Sequence, residues 1–309
     1  MSGIFSALGD GVTDDTVAIQ AALNSGHPVY LPEGTYKTTG LVISRDTTVL
    51  RGAGRGKTVL QGVGTSPILT ITAGYPDLRD FSLNGTPTQT PYGIFFDTNG
   101  GIQGTFRDLD IANITGAPGY GIGNTLHGYS TLFDRLRISG CNIGLHLIRN
   151  IQNTIIDHCL IYQNKVAQIV LGNGVGTSRM ISIMNSEIEG GGNPGQDVMG
   201  IIVNQIEPLT IINCYFESFD SLGSADIQVL GALVGTQNRL TFIGCYSNAN
   251  IVARNAIKLD ANCGLSMEGC YYFNNAPGGD TIENHHTLGR VVTLRNSVLN
   301  VNGGVSTGF

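Results

Sequence analysis

Charge is scarce in this chain: Asp, Glu, Lys and Arg make up only 13% of its 309 residues, about half the usual share. The formal net charge is −6 and no basic run occurs, so the electrostatic footprint that holds a phosphate backbone is missing and nucleic acid is not an expected partner. No stretch of about 18 apolar residues offers a membrane-spanning helix. The first ten residues lack the basic segment and apolar run of a secretory leader, so the sequence reads as a soluble protein made without a signal peptide. The six cysteines, Cys141, Cys159, Cys214, Cys245, Cys263 and Cys270, form no CxxC pair and no Cys/His spacing suited to a metal, so neither metal nor other cofactor is expected.

Glycine, by contrast, occurs 44 times and hydrophobic residues reach 41%, which implies many tight turns around a sizeable core. An internal repeat organises both. Segments such as Leu78-Arg-Asp-Phe-Ser-Leu83, Phe106-Arg-Asp-Leu-Asp-Ile111, Ile183-Met-Asn-Ser-Glu-Ile188 and Met267-Glu-Gly-Cys-Tyr-Tyr272 recur nine times. Their fourth residues are Phe81, Leu109, Leu136, Cys159, Ser186, Cys214, Cys245, Cys270 and Ser297, spaced 23 to 31 residues apart and 27 on average. That length accommodates three short strands and three turns, one coil of a solenoid.

Within each segment the apolar residues fall at positions one, four and six, so strand alternation slips once in the middle. The slipped residue is Asn185, Asn213 and Asn296 in some coils and Gly244 and Gly269 in others, the residue types that most readily adopt left-handed backbone angles. A sharp bend joining two strands is therefore predicted at this position in every coil. A second inward register begins at Gly93-Ile94, Gly121-Ile122, Gly144-Leu145, Gly200-Ile201, Asp226-Ile227 and Ala256-Ile257. Cys159, Cys214, Cys245 and Cys270 share the inward fourth position with Ser186 and Ser297, which makes them a buried ladder of small side chains. Cys141 and Cys263 fall outside it and have no assigned role.

Near the N-terminus, Thr13 or Asp14 can cap a helix with acids in its first turn, and Val17, Ile19, Ala22 and Leu23 supply its apolar contacts. Such a helix would cover the open end of the solenoid. The string Gly9-Asp-Gly-Val-Thr-Asp-Asp-Thr16 with Ala18-Ile-Gln-Ala21, followed by Val29-Tyr-Leu-Pro-Glu-Gly-Thr-Tyr36, strongly resembles the N-terminal signature of pectate-lyase-like β-helix proteins. That superfamily includes bacteriophage tailspikes, polygalacturonases and alginate epimerases. The expected fold is all-β: a right-handed parallel β-helix of about nine or more coils, with residues 1–40 as cap and 41–309 as one continuous solenoid. The resemblance implies carbohydrate as the ligand class and a homotrimer as the assembly, but does not choose the reaction. The polygalacturonase sets Asn-Thr-Asp, Gly-His-Gly and Arg-Ile-Lys are absent, and Tyr120-Gly-Ile-Gly-Asn124 lacks the Asp and His of the epimerase motif. Residues 301–309 are too few to cover the last coil well, which also favours assembly.

Gly52-Ala-Gly-Arg-Gly-Lys-Thr58 has no glycine where a phosphate loop needs its first and reads as a turn. The stacked register gives a sharper candidate. Residues three beyond the fourth position point outward, and successive coils place Tyr162, Glu189, Glu217 and Asn248 in one column. Two carboxyls on consecutive coils raise one pKa, so one stays protonated while the other is ionised, as glycosidic cleavage requires. Glu189, Glu217 and Asp220 are the catalytic candidates, an arrangement similar to that of O-antigen-cleaving tailspikes. Tyr162, Glu187, Tyr215, Tyr246 and Asn248 are the candidate substrate contacts, with Tyr271 continuing the tyrosine column. Solvated glutamates and tyrosine stacks are also ordinary solenoid surface. A second grouping is Asp134, Asp157 and His158, with His158 at a bend. Asp108 with Asp110, and Lys258 with Asp260, read as ordinary exposed residues.

The leading expectation is a phage-type depolymerase that hydrolyses a bacterial capsule or O-antigen, located on the virion tail and free of membrane insertion. A lyase or epimerase acting on uronic acids, with Tyr162, His158 or a lysine as base, is the first alternative; the sequence shows no cationic cluster to neutralise a uronate carboxylate. A glycan-binding or structural β-helix without catalysis is the second.

Overall fold

The computed structural model describes residues 6–301 apart from 87–89, 98–100, 126–127, 150, 173–177, 192–194, 220, 222, 232–237, 250–255, 275–281 and 285–291. The described residues form a parallel β-solenoid of about nine turns with a single short helix. One coil shows the plan: strand Arg179–Met184, a bend, strand Glu187–Glu189, a turn, and strand Met199–Asn204, before Leu209–Ile212 begins the next coil. The first two strands belong to a 22-stranded sheet folded at the bend, and the third to a 10-stranded sheet. Each strand pairs in parallel with its counterpart one coil on, so Ile183 meets Ile211 and Ile201 meets Ile227.

The bend has the predicted backbone. Asn185, Asn213 and Asn296 have φ of 48°, 51° and 48°, and Gly244 and Gly269 both have 61°. The earlier coils place Asp80, Asp108, Arg135 and His158 in the same left-handed conformation. One such residue lets both flanking side chains face inward. Phe106, Phe133, Ile156, Ile183, Ile211, Phe242 and Met267 accordingly form one fully buried column, and Leu109, Leu136, Cys159, Ser186, Cys214, Cys245 and Cys270 another. Burying each large apolar side chain contributes about 1.5–3 kcal/mol, so stability is spread along the rod.

All six cysteines are buried and unbridged. Burial pushes the thiols of Cys141, Cys159 and Cys263 up to about 12. The inward column opened by Gly93, Gly121 and Gly144 also admits polar groups. Gln168, fully buried, accepts from the amide of Asn164 at 2.7 Å, and the fully buried Asp226 accepts from the Ser247 hydroxyl.

The helix runs Thr16–Asn24 and buries Ile19, Ala22 and Leu23. Its start differs from the expectation. Asp15, not Thr13 or Asp14, occupies the N-cap position, and the first turn carries no acid. Asp15 instead turns its carboxylate toward the backbone N–H groups of Leu8 and Gly9 at 2.7 and 3.1 Å, while Asp14 accepts from Thr16 N–H at 2.9 Å. Val17 is 82% exposed, because the helix lies with only one face on the solenoid end.

Candidate active site

The outward column of the second strand is built as the repeat requires. Tyr162 pairs with Glu189, Glu189 with Glu217 and Glu217 with Asn248. The column two residues earlier runs Leu160, Glu187, Tyr215, Tyr246 and Tyr271. Between the two columns Ile161, Ile188 and Phe216 point into the core and are fully buried, which fixes the neighbouring side chains outward by alternation. Seven of the eight candidate residues thus meet on one face. Asp220 lies outside the described residues.

Adjacent parallel strands sit about 4.8 Å apart, so the Glu189 and Glu217 carboxyls share one small volume, with Glu187 beside them. The consequence is electrostatic. Desolvation first, then the charges of Glu187 and Glu217, raise the Glu189 pKa above its ordinary value. Among the described residues no ion pair involves any of the three glutamates. Tyr215 is tied into the same group. Burial, and then its hydrogen bond with the Glu217 carboxylate, push its phenol up, while Asn248 acts in the opposite sense. One coil before Glu189, the Tyr162 hydroxyl accepts from Arg137 at 3.3 Å. The face thus gathers three carboxyl groups and aromatic surface within two coils.

The second grouping lies at the bend of earlier coils. Asp134 pairs in register with Asp157, and His158 Nδ1 stands 2.9 Å from an Asp157 oxygen. The same oxygen accepts from Asn185 at 2.9 Å. Among the described residues, Asp134, Asp157 and His158 are the group whose ligand atoms all fall within 4.8 Å of one another. Asp134 is already engaged by Arg107 at 3.0 Å and Arg135 at 2.7 Å, so a cation there would have to compete with two guanidiniums.

Arginine clustering was not visible in the linear sequence. Arg51, Arg79 and Arg107 stack in one column, Arg135 sits on the adjoining bend, and Arg55 reaches from the turn at 52–58 to donate to the Arg135 carbonyl at 3.0 Å. The expectation of no cationic cluster is therefore corrected, although each of these guanidiniums has a carboxylate within 4.0 Å: Asp77, Asp80, Asp108 or Asp134. Asp108 is likewise not an ordinary surface residue. Arg135 grips it through two nitrogens at 2.9 and 2.7 Å and holds its carboxyl below the usual range. The signal that could have found this network is the 27-residue spacing applied to the second and third positions of each segment. Lys258 donates to the Gly223 carbonyl at 2.6 Å, and Asp260 accepts from Gln228 at 2.8 Å, so these two side chains brace neighbouring coils.

A family model described as rhamnogalacturonase A/epimerase, pectate lyase-like, matches residues 4–76. Mannuronan C5-epimerase AlgE6 of Azotobacter vinelandii is 38% identical over 108 residues, covering 28% of this chain and 12% of the epimerase. The pre-neck appendage protein of Bacillus phage phi29 is 36% identical over 99 residues, 29% of this chain and 12% of that protein. The match thus spans about an eighth of the length of these relatives. In three dimensions the enzymatically active domain of bacteriophage CBA120 tailspike protein 2 superimposes with a TM-score of 0.69 at 16% identity, over 93% of this chain and 46% of the tailspike chain. The N-terminal match, the coil repeat and the shared architecture support a pectate-lyase-like β-helix fold for this chain, similar in form to tailspikes.

Proposed function

We propose that the chain is a polysaccharide depolymerase of the phage tailspike type, a glycoside hydrolase that cuts a bacterial capsule or O-antigen on the face carrying Glu189 and Glu217. The stacking of these two carboxyls, with the Glu189 pKa raised, is the observation that carries the reading. Glu189 serves as general acid, protonating the glycosidic oxygen, and Glu217 supplies the carboxylate that activates water or attacks the anomeric carbon. Asp220 is proposed, from its sequence position alone, to hold the attacking water. Tyr162, Glu187, Tyr215, Tyr246 and Asn248 are proposed to contact the sugars. A homotrimer on the virion tail completes the proposal, and the tailspike and pre-neck appendage resemblances support the tail location.

A second reading has its own observation. His158 is exposed and has Nδ1 engaged by Asp157, which leaves Nε2 for the role of base, and epimerases are among the relatives. A lyase or epimerase using His158 would act on uronic acids. The arginines beside it are already paired with carboxylates, which weighs against it.

Incubating the protein with capsule and O-antigen preparations and sizing the products separates the readings. Shortened chains without ultraviolet absorbance support the hydrolase. An unsaturated, absorbing product or inverted sugar configuration supports the second reading, and retained binding with unchanged glycan size would leave a non-catalytic binder.

A further inference from the structure

The tyrosine column extends beyond the carboxyl pair. Tyr215, Tyr246 and Tyr271 stand on three successive coils, and Val298 continues the column on the fourth. Ring centroids are 5.4 Å apart at both steps, and the Tyr246 and Tyr271 planes lie within 9° of parallel. That separation is ordinary for offset rings, so each ring packs on its neighbour with only part of its surface and leaves the rest turned outward. Tyr246, Tyr271 and Val298 keep 39%, 36% and 48% of their surface exposed. A core-type role would bury these side chains, whereas a ligand with one apolar face per 5.4 Å step would cover them.

The repeat constrains that ligand. A sugar chain lying on all three rings must advance by one residue per coil and keep a straight course parallel to the solenoid axis. Pyranoses joined through equatorial bonds form such straight ribbons, with an apolar C–H face on each ring. An axial bond joined to an equatorial one, as in maltohexaose, coils the chain and carries successive rings off the line. No lysine or arginine occurs in the column Glu187, Tyr215, Tyr246, Tyr271 and Val298, or beside it at Glu189, Glu217 and Asn248. Three glutamates at one end disfavour an anionic polymer.

We propose that Tyr215, Tyr246 and Tyr271 form a binding track for an uncharged, equatorially linked glycan that runs from the Glu189/Glu217 pair toward the C-terminal coils. The proposal rests on glycan as the ligand class, but not on which residue cuts it. Titration calorimetry with cellohexaose, maltohexaose and oligogalacturonate as probes tests it on the wild type, Tyr246→Ala, Tyr271→Ala and Glu217→Gln. Cellohexaose should bind in the millimolar range, with maltohexaose and oligogalacturonate at least tenfold weaker. Each tyrosine substitution should weaken cellohexaose at least tenfold at an unchanged melting temperature, and Glu217→Gln should retain it. Failure of every hexamer to bind, equal affinity for the straight and coiled chains, or undiminished binding by both tyrosine variants would overturn the track. Failure of the hydrolase reading shows separately, as continued cleavage of a surface glycan by Glu217→Gln.

Discussion

Glu189 and Glu217 are register partners on consecutive coils, their backbones held side by side by the buried pair Ile188 and Phe216. The rigidity of the solenoid, rather than a flexible loop, sets the spacing of the two carboxyls. Desolvation and two neighbouring like charges raise the Glu189 pKa, which is the direction that the proposed general acid requires.

Replacing Glu217 by Gln should abolish cleavage, with a loss of about 10²–10⁴ in kcat, while the melting temperature stays within a degree or two of wild type. Reducing-end release from a surface glycan, measured alongside a thermal melt, checks both halves. Full activity in this variant would remove Glu217 from the mechanism.

Glu189 also ties stability to pH. A carboxyl whose folded-state pKa lies above its unfolded value binds its proton more tightly in the folded state. Its contribution is therefore fully present below about pH 4.5 and is lost as pH rises through the higher folded value. Glu189→Gln removes the repulsion and should raise the melting temperature at pH 7.5 with little change at pH 4. Screening at a partly exposed site keeps the gain below about 1 kcal/mol. Paired melts at the two pH values decide it, and a variant less stable at pH 7.5 than wild type would contradict the electrostatic account.

The cysteines supply a test of the core. Cys141, Cys159 and Cys263 have thiols pushed up to about 12 by burial, and thiolate is the reactive form. Cys214 is held below the usual range by its hydrogen bond with Cys245, but all six are buried from the reagent, so dithionitrobenzoate should label none of them in the native protein at pH 8 and all six after denaturation. Rapid labelling of Cys159 or Cys214 without unfolding would mean that the fourth position of the repeat does not face inward.

Much of this organisation is readable in the sequence because a coil has few degrees of freedom. Once Asn185 and Asn213 mark the bend, alternation decides that Ile188 and Phe216 face in and that Glu189 and Glu217 face out. Features that depend on chemistry across coils are harder to see. Arg107 and Arg135 are 28 residues apart in the chain yet grip the same Asp134. The repeat aligns Asp226 with Gly93 and Gly121, but it does not reveal the Ser247 hydroxyl that the buried carboxylate accepts from. The capping helix escaped exact placement for another reason: Asp15 satisfies the N–H groups of Leu8 and Gly9 rather than those of its own helix, so local capping rules locate its start only to within a residue or two.

The bend column carries a prediction about backbone geometry alone. Asn213 is exposed, has φ of 51°, and donates to the Asn185 side chain at 3.3 Å. Alanine at that position must hold a left-handed conformation that costs about 1–2 kcal/mol and gives up the amide contact. Glycine loses the contact but adopts the angle freely, as Gly244 and Gly269 do on later coils at φ of 61°. Asn213→Ala should thus destabilise by about 1–2 kcal/mol and Asn213→Gly by clearly less, although alanine ordinarily stabilises a chain relative to glycine. Chemical denaturation of the two variants measures the difference. Alanine as stable as glycine would show that side-chain stacking, not the left-handed backbone, maintains the bend.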